Sequence, residues 1–137
     1  MGYSYSDASW PVVELVFRQR ANDADGAQYV RDVDALLARG EHYIVICDAT
    51  DALMPEPSFI RTQAQWMQAN IPKIQALNRG VALVLPSALT RGILRGLSHV
   101  AKLPVPYEVF ETLEAARSWA DTRAQTLAAS KAAPHGG

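Results

Sequence analysis

A single cysteine, Cys47, stands in a chain of 137 residues, which excludes an internal disulfide and a cysteine-rich zinc site. Charge of either sign is also scarce. Thirteen basic and fourteen acidic residues leave a formal charge of −1 with the three histidines neutral. So even a balance lacks the basic face that a phosphate-dominated nucleic-acid binder needs, and no nucleic-acid partner is expected. No apolar run approaches the roughly 20 residues of a membrane helix. The opening MGYSYSDASW has neither the basic start nor the unbroken apolar stretch of a secretory signal. Gly2 with Ser6 has the spacing of a myristoylation sequence, but polybasic support for such an anchor is missing. The expectation is a cytoplasmic protein without membrane insertion.

The usual signatures of chemistry are absent too. No Gly-x-Gly-x-x-Gly follows a strand pattern, and neither Gly-Lys-Ser/Thr nor Gly-x-Ser-x-Gly occurs. His42, His99 and His135 are far apart and form no i, i+4 pair of the kind a zinc site uses. No catalytic residue, metal or cofactor is therefore expected. What the chain does have is 49% hydrophobic and 20% charged residues, the balance of a folded globular domain. At this length a domain buries about two-thirds of its unfolded surface, enough for a core without staples. The pattern predicts one domain over residues 1–127 and a flexible tail over 128–137, where small and polar residues end in Gly-Gly.

Apolar segments alternate with helical patterns, the rhythm of a βα-repeating sheet. Tyr3 and Tyr5 alternate with Ser4 and Ser6, and residues 7–9 read as the turn into a strand Val12-Val13-Glu14-Leu15-Val16-Phe17, so an antiparallel hairpin opens the fold. Residues 22–25 supply N-caps for a first helix with Tyr29, Val33, Leu36 and Leu37 at helical spacing, and Gly40 falls where a C′ glycine belongs. Tyr43-Ile44-Val45-Ile46-Cys47 is a strand covered on both faces, followed by a loop over residues 48–58. Ser58 is the N-cap of a long helix with Ile60, Ala64, Met67, Ile71 and Ile74 inward, which Pro72 should kink or break. Val81-Ala82-Leu83-Val84-Leu85 is the next strand. A third helix holds Leu89, Ile93, Leu94, Leu97 and Val100; Tyr107 to Phe110 form a last strand, and Thr112 caps a fourth helix.

Ligands of an open α/β sheet sit at the carboxyl ends of its strands. Two segments fall there. The first offers Asp48, Thr50, Asp51, Glu56 and Ser58; its carboxylates either hold a metal in an enzyme built on Asp48 and Asp51, or simply tie down the loop backbone. The second offers Ser87, Arg91 and Arg95, a helix start with two guanidiniums that suits an anion or an acidic partner, or a solvated face. Phe59 and Trp66, seven apart on the long helix, form a second apolar stripe: core, partner surface, or lid over an apolar pocket. Cys47, inside an apolar run, reads as core rather than nucleophile.

Trp10-Pro11-Val12-Val13, residues 23–40 with Tyr29 and Leu36-Leu37, Ala64-x-Trp66, and Phe110-Glu111-Thr112-Leu113-Glu114-Ala115-Ala116-x-x-Trp119 together resemble a group of small bacterial STAS-like (SpoIIAA-like) proteins. The resemblance spans about residues 3–125 and implies a mixed sheet of four or five strands with four main helices. It also implies non-enzymatic regulatory work through a protein partner, at the loop and helix after the second core strand. In regulatory members a Ser or Thr at the start of that helix is phosphorylated, and the corresponding position is Ser58. Pro57 stands where those regulators have Asp. A carrier of a small apolar ligand or lipid, using Phe59 and Trp66, is the alternative. Gly92 and Gly96, or an exposed first strand, are compatible with a homodimer.

Overall fold

The computed structural model describes residues 2–85 and 104–132. Its elements run β1 (Tyr3–Ser9), β2 (Val12–Gln19), α1 (Asp23–Ala38), β3 (Tyr43–Ala52), α2 (Pro57–Leu77), β4 (Asn78–Val84), β5 (Tyr107–Phe110) and α3 (Leu113–Ala132). The strands form one sheet in the order β1-β2-β3-β4-β5. β1 and β2 are antiparallel, as the alternating start of the chain implies, and every later pairing is parallel. The mixed five-stranded sheet with covering helices is the α/β architecture expected. Three helices lie among the described residues; the fourth expected one, with Leu89 to Val100, lies outside them, as do Ser87, Arg91 and Arg95.

Period-2 alternation sorts the strands onto two faces. On one, Val13 and Leu15 of β2, Tyr43 and Val45 of β3 and Val81 of β4 pack beneath Tyr29, Val33, Leu36 and Leu37 of α1 and Phe59 and Ile74 of α2. On the other, Val12, Ile44, Ile46, Ala82 and Val84 pack against Ala116 and Ala120 of α3, small residues that let the helix sit close to the sheet. Both helices on the first face run against the strands they follow. Their N-termini therefore lie at the carboxyl edge of the parallel sheet.

The helix ends obey local chemistry. Asn22 caps α1 in a reciprocal capping box, its side chain accepting from the Asp25 N–H at 3.0 Å while Asp25 accepts from the Asn22 N–H at 3.0 Å. Gly40, at φ +66, follows the last turn as a C′ residue. Thr112 caps α3, its hydroxyl oxygen accepting from the Ala115 N–H at 3.2 Å.

Several boundaries differ from expectation, among them the start of β4, which lies at Asn78 and not Val81. β1 runs through Asp7 and Ala8 to Ser9, because the hairpin turns at Trp10 and Pro11 instead. β3 continues past Asp48 to Ala52, since the prolonged β2 supplies Arg18 and Gln19 as partners for Asp51 and Ala52. α2 begins at Pro57, not at Ser58: proline lacks only an amide that the first turn leaves unbonded anyway. It also runs through Pro72 to Leu77 without a break at the proline. α3 extends to Ala132, beyond the start of the expected tail.

Candidate functional site

The β3–α2 connection leaves the carboxyl edge of the sheet beside the end of β2. Only residues 53–56 separate strand from helix, and they are pinned. The Leu53 N–H donates to the Gln19 carbonyl at 2.7 Å and the Glu56 N–H to the Ala21 carbonyl at 2.9 Å. Gln19 accepts this bond in the left-handed region, at φ +55, a conformation that costs a non-glycine residue about 1–2 kcal/mol. With both ends held, the tip turns its apolar side chains outward: Leu53 is 59% exposed and Met54 45%. These are the two most exposed large hydrophobics among the described residues. Arg18 and Asp51, paired in register across β2 and β3, and Arg20 are exposed nearby and give the apolar tip a polar surround.

The acidic groups of this edge are placed differently from one another. Asp48 is buried, on the α3 side of β3, and its Oδ1 accepts from the Thr50 N–H at 3.0 Å and from the Thr50 hydroxyl. Asp48 and Thr50 thus hold backbone, as short polar residues commonly do. Asp51 is exposed and projects from the other end of the segment. Nearby on the same face, Arg117 of α3 grips Glu14 of β2 through Nε at 3.2 Å and Nη2 at 2.9 Å, which raises the guanidinium pKa further. Among the described residues no group of three His, Cys, Asp or Glu side chains is arranged to hold a metal ion.

Ser58 is half-buried in the first turn of α2. The N-cap is Glu56, with extended backbone and no side-chain hydrogen bond to the helix, so Ser58 is not the cap expected of it. That first turn also carries no acidic residue. Its amides receive no side-chain cap bond from Glu56 and no acid within the turn faces the positive end of the helix dipole, the environment in which an added anion is stabilised.

Phe59 and Trp66 do not form an exposed apolar surface. Phe59 is 2% exposed and sits between Tyr29, at 5.8 Å between ring centroids, and Phe17, at 5.9 Å. Trp66 packs edge-on to Tyr29 at 6.0 Å and donates its indole N–H to Asp34 at 2.7 Å, tying α2 to α1. Their spacing marked a stripe; its phase, set by the sheet below, turned it inward. A groove of about 540 Å³ does lie between the last turns of α1 and α2, lined by Asp34, Leu37, Asn70, Lys73 and Leu77. It is partly polar and contains neither aromatic residue. Cys47 lies under the helices, where burial and then the Asp48 carboxylate push its thiol up to about 12. It is a poor nucleophile there.

Leu53 and Met54 are the residues that motif reading missed. Two large apolar side chains beside Pro55 in a turn-rich segment were the available signal.

No protein-family model and no curated protein sequence matches the chain. Solved structures do. A protein of the DUF3478 family with a SpoIIAA-like fold, from Shewanella loihica PV-4 and itself uncharacterised, aligns with a TM-score of 0.66 at 12% identity, over 86% of this chain and 91% of its own. The anti-sigma factor antagonist SpoIIAA in its unphosphorylated form aligns with a TM-score of 0.61, also at 12% identity, over 90% and 97%. The chain therefore has a SpoIIAA-like, STAS-type fold. No described helix is long and apolar enough to cross a membrane.

Proposed function

We propose that this chain is a non-enzymatic regulatory module that binds a protein partner through the β3–α2 connection and the first turn of α2. The observation that carries the reading is the coincidence of two things at one place. The fold is that of an anti-sigma factor antagonist along nine-tenths of the chain, and the most exposed large apolar side chains among the described residues, Leu53 and Met54, sit beside the helix start that contains Ser58. An apolar centre within a polar surround is the anatomy of a protein contact. Asp51 and Thr50 belong to the rim, with Asp48 behind them as its brace. Phosphorylation of Ser58 would add about two negative charges to a first turn that carries no acidic residue, and so would alter the contact without unfolding the helix.

The test is affinity capture from the source cell, followed by binding measurements with the purified captured protein. We expect a wild-type partner whose affinity falls at least about tenfold with the double substitution Leu53→Ser and Met54→Ser, at unchanged melting temperature. Ser58→Asp should shift the same affinity. Equal binding by wild type and the double variant, or no specific capture at all, refutes the assignment.

A further inference from the structure

The sheet ends at β1 on one side and at β5 on the other, and the two edges are built differently. β5 is only four residues long, follows Pro104 and Pro106, and carries Glu108 with Glu111 just beyond. Brevity, prolines and charge all discourage the addition of another strand. β1 is seven residues long, holds no proline, and has Asp7 as its sole charge; its irregularity is confined to the hairpin end, between Ser6 and Ser9. Among the described residues nothing pairs with its outer side.

The direction of the free backbone groups follows from the register. The Arg18 N–H donates to the Gly2 carbonyl at 2.8 Å, and Ser4 and Ser6 lie opposite Val16 and Glu14. Residues that exchange bonds alternate along an antiparallel pair. Gly2, Ser4 and Ser6 therefore face β2, and the N–H and C=O groups of Tyr3 and Tyr5 point out of the sheet. The side chains are set to match: Tyr3 and Tyr5 pack on the helix-covered face, held by the Tyr3 hydroxyl donating to Asp32 at 2.9 Å, whereas Ser4 and Ser6 are small and exposed on the other.

We propose that β1 is a self-docking strand: a second copy of this chain adds its own β1 antiparallel across a two-fold axis at Tyr5, joining two sheets into one of ten strands. The strand is nearly symmetric about that point, with serines at both flanks of Tyr5, so an isologous contact sets Ser4 opposite Ser6 of the second copy. Asp7 falls opposite Tyr3 rather than another acid, and its charge is already met by Arg39 at 3.3 Å. No like charges oppose one another anywhere along the pairing. The β1 edge shares no residue with the proposed contact at the β3–α2 connection.

Sedimentation equilibrium over a range of concentrations tests it, on the wild type and on two double variants at exposed positions, with circular dichroism to verify folding. Ser4→Lys with Ser6→Lys places like charges directly opposite at two points of the axis and should weaken the dimer about tenfold or more. Ser4→Glu with Ser6→Lys places unlike charges there, sets the lysine opposite Glu14 of its own chain, and should associate at least as tightly as wild type. Hydrogen exchange at the Tyr3 and Tyr5 amides should slow as wild-type concentration rises. A wild type that stays monomeric at several hundred micromolar overturns the proposal, as does a dimer indifferent to the two lysines. Protection of those amides only on adding a different protein assigns the edge to another chain and overturns self-docking as well.

Discussion

At Gly80 the backbone sits at φ +151, and the volume of a methyl group is already taken. A Cβ there would lie 2.8 Å from Nε of Arg123 and 2.8 Å from Cη2 of Trp119. Neither neighbour is loose. Arg123 donates from that Nε to the Arg79 carbonyl at 3.0 Å, and its guanidinium lies 4.6 Å from the centroid of the Trp119 ring. Gly40 offers the contrast: its φ of +66 lies in the left-handed region that Gln19 also adopts, and the surrounding space is open. Gly40→Ala should cost about 1 kcal/mol from conformation alone. Gly80→Ala should cost more, about 2–4 kcal/mol, because its φ is all but closed to L residues and steric displacement adds to that strain. Urea denaturation of both variants checks the order; equal losses would remove the packing argument.

At the scale of elements, α2 begins beside the proposed contact surface. Its first turn has Glu56 as a cap without a side-chain bond and no acidic residue. Ser58→Ala should therefore change stability by less than about 0.5 kcal/mol, whereas loss of a true serine cap costs about 1 kcal/mol. Ser58→Asp should stabilise by about 0.3–1 kcal/mol through the helix dipole. Chemical denaturation at low ionic strength reads both. The element's identity was plain from its length and composition, but its phase was not: Phe59, Ile60, Trp66, Met67, Ile71 and Ile74 cover too much of the circumference to single out one inward line. Tertiary packing chose Phe59 and Ile74. The central strands, by contrast, were legible because each is an apolar run buried on both faces. The end of β3 was not. Asp48, Thr50 and Asp51 read as a polar loop, and only pairing with Arg18 and Gln19 makes the segment a strand.

For the whole molecule, the layered body buries groups that must stay neutral. Burial, moderated by a bond to Asn78, pushes the Tyr43 phenol up from 10.0 to about 12, and burial pushes the Cys47 thiol up from 9.0 to about 12. Tyr3 and Tyr29 shift upward as well, again chiefly through burial. The sign follows: below pH 9 these groups are neutral whether folded or not, and their contribution to stability is complete. Between pH 9 and 12 the unfolded chain ionises first, so stability falls as pH rises. The urea midpoint should hold level from these groups up to about pH 9 and decline steadily above it. Cys47→Ala should delay the onset toward pH 10. A midpoint unchanged at pH 11 would contradict the burial of these groups. The same layering explains why the fold was readable where the site was only partly so. Alternation of apolar strands and helices reports the sheet and its covers, and that arrangement persists at 12% identity. Exposure of Leu53 and Met54 depends instead on two backbone hydrogen bonds at the loop's ends.

The two ends of α2 are joined to the sheet in opposite ways: a connection of residues 53–56 before it, and nothing at all between Leu77 and Asn78 after it. A spacer, epitope or fluorophore spliced between Met54 and Pro55 would be taken up as slack. One extra residue spliced after Leu77 would instead turn the start of β4 over, carrying Val81 from beneath α1 and α2 to the side of α3. The molecule thus has one hem that can be let out and one seam that cannot.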